Sequence, residues 1–268
     1  MSQKLPVLAT LAEAVRLVVD KRGDLLRVGL VLTLGIFAIG VLAINYVLPM
    51  LRAVTPAGSA QPVMDPRFMP AMLVILAIEF LLIAVFAVGW HRLILLGRQR
   101  AGGGLGTGLG ARELRYFGRI WLCFFGLIVI GVVFSSVELV IARLMGASPY
   151  SFLAAAYVGY LLVAGFVIGR LGLTFAALSI DLPFSFAQSW RATAGNGMQL
   201  LAVYLLIWVG WLIAALLFGA LANALGLGEA APYALMFINA VMTCVLMAML
   251  VTVNTLAFRR LSGWTPPP

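Results

Sequence analysis

Charge is scarce in this chain, and acid is scarcer than base. Only 10% of the 268 residues are charged, where a soluble domain carries about 25%, and 9 Asp+Glu stand against 18 Lys+Arg. There is one histidine, His91, so a His-based metal cluster or a triad with His cannot be built. The two cysteines, Cys123 and Cys244, lie far apart inside apolar runs without CxxC spacing. They indicate neither a zinc site nor a disulfide framework and read as buried spectator thiols. Asp181 is the only aspartate after Asp65, so paired catalytic aspartates are missing, and Ser135 and Ser136 have no evident base. No cofactor, metal or catalytic residue is expected, and an enzyme is the poorest of the functional readings.

What the chain has instead is length of apolar run, with 63% hydrophobic residues. A hydrocarbon slab of about 30 Å takes about 20 helical residues to cross. Six runs suffice, at about 25–51, 69–96, 120–143, 152–180, 198–225 and 233–258. The expected fold is all-α, a polytopic transmembrane bundle forming a single integral membrane domain, with interfacial amphipathic helices. Within residues 1–24, Leu8, Leu11, Val15, Val18 and Val19 recur at helical spacing with Glu13, Arg16 and Asp20 on other faces, as in a helix lying in the headgroup layer. Glu13 and Arg16 interrupt this stretch, so no cleavable signal is expected. Gly106 to Ala111 formally fits a GxGxxA dinucleotide pattern. That fingerprint needs a preceding strand, and a transmembrane helix precedes it here, so a linker is the better reading.

The basic residues orient the bundle. With the N-terminus cytoplasmic, that side holds Lys4, Arg16, Lys21, Arg22, Arg27, Arg92, Arg98, Arg100, Arg112, Arg115, Arg119, Arg191, Arg259 and Arg260. The far side holds Arg52, Arg67 and Arg143. This positive-inside bias places both termini in the cytoplasm. Trp90, Trp190 and the arginines at 92, 98, 100, 112, 115, 119 and 191 are expected at the interface, facing anionic lipid or a partner. His91, beside Trp90 and Arg92, is expected there too. In a membrane protein the basic excess points to topology and lipid, not to nucleic acid.

Two spans carry a charge where lipid disfavours one. Glu79 lies eleven residues from Trp90, and Arg170 eleven from Asp181. Each is thus ~16 Å from its boundary along a helix. Either alone costs about 2.5–3.5 kcal/mol at such depth, so the two are expected to face inward and toward one another. The pair reads as a structural pin, or else as a substrate or proton site; an arginine that snorkels or a glutamate that stays protonated is the remaining possibility. Glu138 reads as an ordinary interfacial acid. Gly165 and Gly169 form a GxxxG spacing that lets a neighbouring helix approach.

Aligning Ala12 with Ala187 puts Arg16 on Arg191 and Leu25-Leu26 on Leu200-Leu201 without a gap. With 111–120 as a third copy, the chain would be three units of surface helix plus two-span hairpin; chance similarity among apolar helices is the rival. The segment SWRATAGNG (189–197) resembles a group of bacterial membrane proteins that includes the membrane domain attached to some glycerophosphodiester phosphodiesterases. There a cytoplasmic S-W-x-x-T-x-G-N helix enters a span, matching Ser189, Trp190, Thr193, Gly195 and Asn196. Ala194 departs from a position often basic in that group, and no phosphodiesterase domain is present. The resemblance implies an architecture and no catalytic residues. The expected role is a non-enzymatic accessory, assembly or scaffold protein of a bacterial inner membrane, multi-pass, with a membrane-protein partner or a second copy of itself. The alternative is a small-molecule or lipid transporter with a site near Glu79 and Arg170.

Overall fold

Lipid leaves backbone groups no partner but each other, so apolar runs of this length become helices. A computed structural model of the chain describes residues 4–52, 65–100, 108–145, 149–227 and 231–265. Among these there is no strand. The helices are α1 (Val7–Asp20), α2 (Arg22–Leu42), α3 (Leu48–Arg52), α4 (Phe68–Arg100), α5 (Ala111–Leu144), α6 (Pro149–Leu171), α7 (Leu173–Ser179), α8 (Phe186–Ala192), α9 (Gly197–Ala224) and α10 (Pro232–Leu261). Six are long and apolar enough to cross a membrane: Arg22–Met50, Phe68–Leu96, Ala111–Ile141, Tyr157–Ser179, Gly197–Ala224 and Pro232–Leu261. The chain is a multi-pass membrane protein. The first two residues of the GxGxxA stretch, 106 and 107, lie outside the described residues; Gly110 caps α5, which starts at Ala111.

The three hairpins are arranged alike. Their second spans meet at one end of the bundle, where α4, α7 and α10 touch one another. Their first spans fill the grooves between: α2 lies on α4 and α10, α5 on α4 and α6, and α9 on α6 and α10. The surface helices follow the same rule. Helix α1 packs on α9 and α10, and α8 on α6 and α7, so each rests against the hairpin before it in a cyclic order. The third expected surface piece, 111–120, is no separate helix but the first turns of α5, which runs without a break through Gly118 into the apolar run. The break after α1 is a single residue, Lys21, two positions before Gly23.

Small residues set how closely these helices approach. A Cβ on Gly29 would stand 2.5 Å from Cys244 Sγ, and one on Gly40 2.6 Å from Met236 Cε, so α2 is seated deep against α10. Gly165 faces Leu201, and Gly169 faces Leu200 and Tyr204, all on α9. Further along α2 the helix widens into a π-turn, Ala43–Val47. Pro49 follows, and its ring crowds the carbonyl four residues back while offering no N–H. Asn45 Nδ2 donates to the Val41 carbonyl at 2.7 Å, where the register changes.

Burial is concentrated where the second spans meet. The core includes Phe86, Val88, Trp90 and His91 on α4, all of α7 from Leu173 to Ser179 apart from Phe175, and Val251 to Phe258 on α10, Asn254 excepted. Toward the other end the helices part. No described side chain of α5 after Tyr116 is buried. The closed end carries Arg92, Arg112, Arg119, Arg191 and Arg260 and is the basic end of the molecule. Leu5 and Arg260 are both tied there by hydrogen bonds, to Asn196 and Thr10.

Candidate functional site

At the basic end, α10 offers α4 two threonine hydroxyls three residues apart. Thr252 donates to the Ala248 carbonyl at 2.6 Å and Thr255 to Val251 at 2.7 Å. Each hydroxyl proton is thereby spent on its own helix, leaving a lone pair facing outward. Trp90 Nε1 donates to Thr252 Oγ1 at 2.9 Å, and His91 Nδ1 is 2.7 Å from Thr255 Oγ1. With the Thr255 hydroxyl proton directed at Val251, His91 presents its Nδ1–H to Thr255. Its Nε2 then accepts from Tyr116 on α5 at 3.4 Å. One position along, Tyr204 of α9 donates to Asn254. These are contacts between different spans, and they close the basic end.

The SWRATAGNG segment is a connector, and each residue of its pattern has a physical task. Ser189 Oγ donates to the Arg170 carbonyl at 2.6 Å, drawing it away from the helix where α6 ends. Trp190 lies beneath the Arg170 guanidinium, 3.9 Å from ring centroid to Cζ. Thr193 Oγ1 accepts from Arg170 Nε at 3.1 Å. Gly195 takes φ 80°, where a side chain is strained. Asn196, fully buried, accepts the Leu5 N–H at 2.7 Å and so holds the N-terminal segment.

The structure does not pair Glu79 with Arg170. Arg170 also donates to the Trp190 carbonyl, so its hydrogen bonds go to α8 and to the residue after it. Counting depth from Asp181 takes the span to run straight back to Arg170. The helix instead breaks at Gly172 and α8 folds back against α6, which places the guanidinium beside a polar turn. Glu79 sits eleven residues from Phe68 and seventeen from Leu96, on the far side of its span's midpoint. No donor or cation among the described residues reaches it. It lines a cavity of about 440 Å³ with Ile36, Ile39, Gly40, Phe218 and Asn239.

Two interface expectations are overturned. Trp90 and His91 are fully buried. Helix α4 runs unbroken only to Leu96, about one turn past Arg92, before Gly97 interrupts it at φ 76°, and the triplet is covered by α7 and α10. Arg92 is half-buried and donates to the Ser179 carbonyl at 3.2 Å. Arg119 donates to the Phe184 carbonyl at 3.0 Å and lies over the Phe186 ring. Trp190, Arg98, Arg115 and Arg191 are exposed, while the side chain of Arg100 lies outside the described set. Arg98 pairs with Asp24 at 3.6 Å.

Asp181 fastens the α7–α8 connection to α5. It bonds Arg112, and Arg115 reaches its other oxygen at 3.1 Å. Its φ of 59° is left-handed, a conformation aspartate tolerates better than most residues. The hydrogen bond from Arg112, then the charges of Arg112 and Arg115, hold this carboxyl below the usual carboxylate range. A lowered acid stabilises the fold above its unfolded pKa, about 3.9, and that contribution disappears as pH falls through the folded value. Asp181→Asn is therefore expected to lower the apparent melting temperature in detergent by the same small amount throughout pH 5–8, equivalent to about 1 kcal/mol or less for so exposed a pair. The difference should shrink as the pH is taken below about 3.9. A gap between wild type and variant that widens on acidification would contradict the assignment.

Fold and geometry define a six-span helical membrane protein, closed at its basic end and parted at the other, with no group of three His, Cys, Asp or Glu able to hold a metal among the described residues. Comparison with protein-family models, with curated proteins and with solved structures finds no match to this chain.

Proposed function

We propose that the chain is a non-enzymatic accessory or assembly protein of a bacterial inner membrane, with its basic end in the cytoplasm. The observation that carries this reading is the closure of the basic end. A carrier must open to each side in turn. Here opening would break the bonds of Trp90, His91 and Tyr204 to α10, and each buried polar group left without a partner costs about 1–3 kcal/mol. A frame so braced suits a part that holds others in place. Around it Arg16, Arg22, Arg27, Arg98, Arg191 and Arg259 are exposed, a ring of charge suited to anionic headgroups and to an acidic partner surface. Kinship with the membrane domain of glycerophosphodiester phosphodiesterases belongs to the same proposal; its support is the SW-x-x-T-x-GN connector.

Purification in a mild detergent, with the mass taken from light scattering, tests the role. The expected result is an assembly heavier than the 28.7 kDa chain, containing either a second copy or a membrane protein in fixed ratio. A single chain that moves a solute into reconstituted vesicles would overturn it in favour of transport.

A further inference from the structure

The cavity at Glu79 lies away from the closed basic end, and its chemistry is independent of the accessory role. Its walls are aliphatic and aromatic: Ile36 and Ile39 on α2 and Phe218 reaching across from α9. Two polar residues line it, Glu79 from α4 and Asn239 from α10. About 440 Å³ lies within the range of small-ligand sites, which are typically apolar with a few convergent polar groups. Gly40 forms part of the wall, and the π-turn of α2 begins three residues beyond it. Such widened turns recur at functional sites.

The chain itself leaves the carboxylate without a counter-ion. Six ion pairs are formed among the described residues, by Arg16, Arg67, Arg98, Arg112, Arg115 and Arg260. None involves Glu79, and Arg170 is occupied at Trp190 and Thr193. Calcium and magnesium take six or more oxygen ligands, and the walls beyond Glu79 and Asn239 carry no oxygen side chain and suit an apolar body better than a hydrated ion. An anion would be repelled. What fits is a cation with N–H donors for Glu79 and Asn239 and an apolar body for the isoleucine and phenylalanine walls. We infer that this cavity binds an ammonium group carried on an apolar chain. The ammonium can come from a free hydrophobic amine or from the headgroup of an aminophospholipid.

The test uses the full-length protein in phosphatidylcholine nanodiscs, whose quaternary headgroup has no N–H to donate. Radiolabelled dodecylamine is titrated, with empty discs subtracted, and dodecanol serves as the uncharged counterpart. Wild type is expected to bind about one dodecylamine per chain, saturably, with at least tenfold weaker binding in Glu79→Gln. Ile39→Trp, which fills the cavity and leaves the carboxylate in place, should weaken it as much, so the inference does not hang on one variant's folding. Glu79→Asp should retain binding. Substituting phosphatidylethanolamine into the disc separates the two sources. Competition with dodecylamine identifies the lipid headgroup; no competition identifies a free amine; either supports an ammonium site. Equal dodecylamine affinity in wild type, Glu79→Gln and Ile39→Trp would overturn the inference, as would dodecanol binding with the same affinity and the same sensitivity to Glu79→Gln.

Discussion

Replacing Trp90 by alanine is expected to destabilise the protein by about 3–5 kcal/mol, the usual range for truncating a fully buried aromatic. The ring is 0% exposed and stacks on Phe86 at 6.2 Å between centroids. Its N–H is the α4 side of the bond to Thr252. Trp90→Phe separates these contributions. It keeps most of the packing and loses the N–H, while Thr252 still donates to Ala248, so no buried hydroxyl hydrogen is stranded. A cost near 1 kcal/mol is expected for it. The measurement is the apparent melting temperature in detergent, followed by circular dichroism so that loss of a tryptophan does not alter the probe. An aromatic anchor at the membrane surface would behave differently, since alanine and phenylalanine would both be tolerated. If Trp90→Ala melts within about a degree of wild type, the buried assignment fails.

The same residue shows what the amino-acid order conveys and where it stops. The six crossings are legible because lipid thickness imposes a run length that few other constraints imitate. Their ends are legible to within about a turn and a half, apart from the start of the third, expected at 120 and found at Ala111. Trp90-His91-Arg92 has the composition of a membrane boundary, yet Trp90 and His91 are fully buried, about a turn and a half before the unbroken helix ends at Leu96. Their burial is decided by α7 and α10 packing on α4, a tertiary fact. Placing Glu79 opposite Arg170 combines two errors: Trp90 is taken as the end of its span, and the depth of Arg170 is counted from Asp181 through the break at Gly172. The glycines divide similarly. Gly165 and Gly169 announce a contact face by their spacing, and α9 packs on them. Gly29, Gly35 and Gly40, separated by six and five residues, match no familiar pattern, yet they seat α2 against α4 and α10. The repeat reads in the sequence as three surface segments before three hairpins, of which the 111–120 segment is the start of α5; that the second spans touch one another is a property of packing. Thr252, Asn254 and Thr255 stand in no motif that would single them out. A cluster of small polar residues late in an apolar run, facing Trp-His on another span, is the available signal.

The second large effect is expected at Gly172, where α6 gives way to α7. Its φ of −58° is ordinarily helical, so what the position requires is space, not conformational freedom. An added Cβ would run into the Asn254 carboxamide and stand 3.3 Å from the Ile168 carbonyl. Asn254 could swing aside, but its oxygen accepts the Tyr204 hydroxyl, and Tyr204 is buried. Gly172→Ala is thus expected to combine overpacking, about 1–3 kcal/mol, with a stranded tyrosine hydroxyl, about 1–3 kcal/mol. The double variant Asn254→Ala/Tyr204→Phe removes both the obstacle and the group it serves. On that background Gly172→Ala should cost far less, giving a coupling of about 1–2 kcal/mol in the cycle. Gly126 is the control: a Cβ there meets nothing within 4 Å, so Gly126→Ala should be neutral or gain up to about 1 kcal/mol from helix propensity. Melting temperatures of these variants in one detergent decide the matter. Equal penalties for Gly172→Ala with and without Asn254 and Tyr204 would mean that the helix break is set by something other than this three-helix contact.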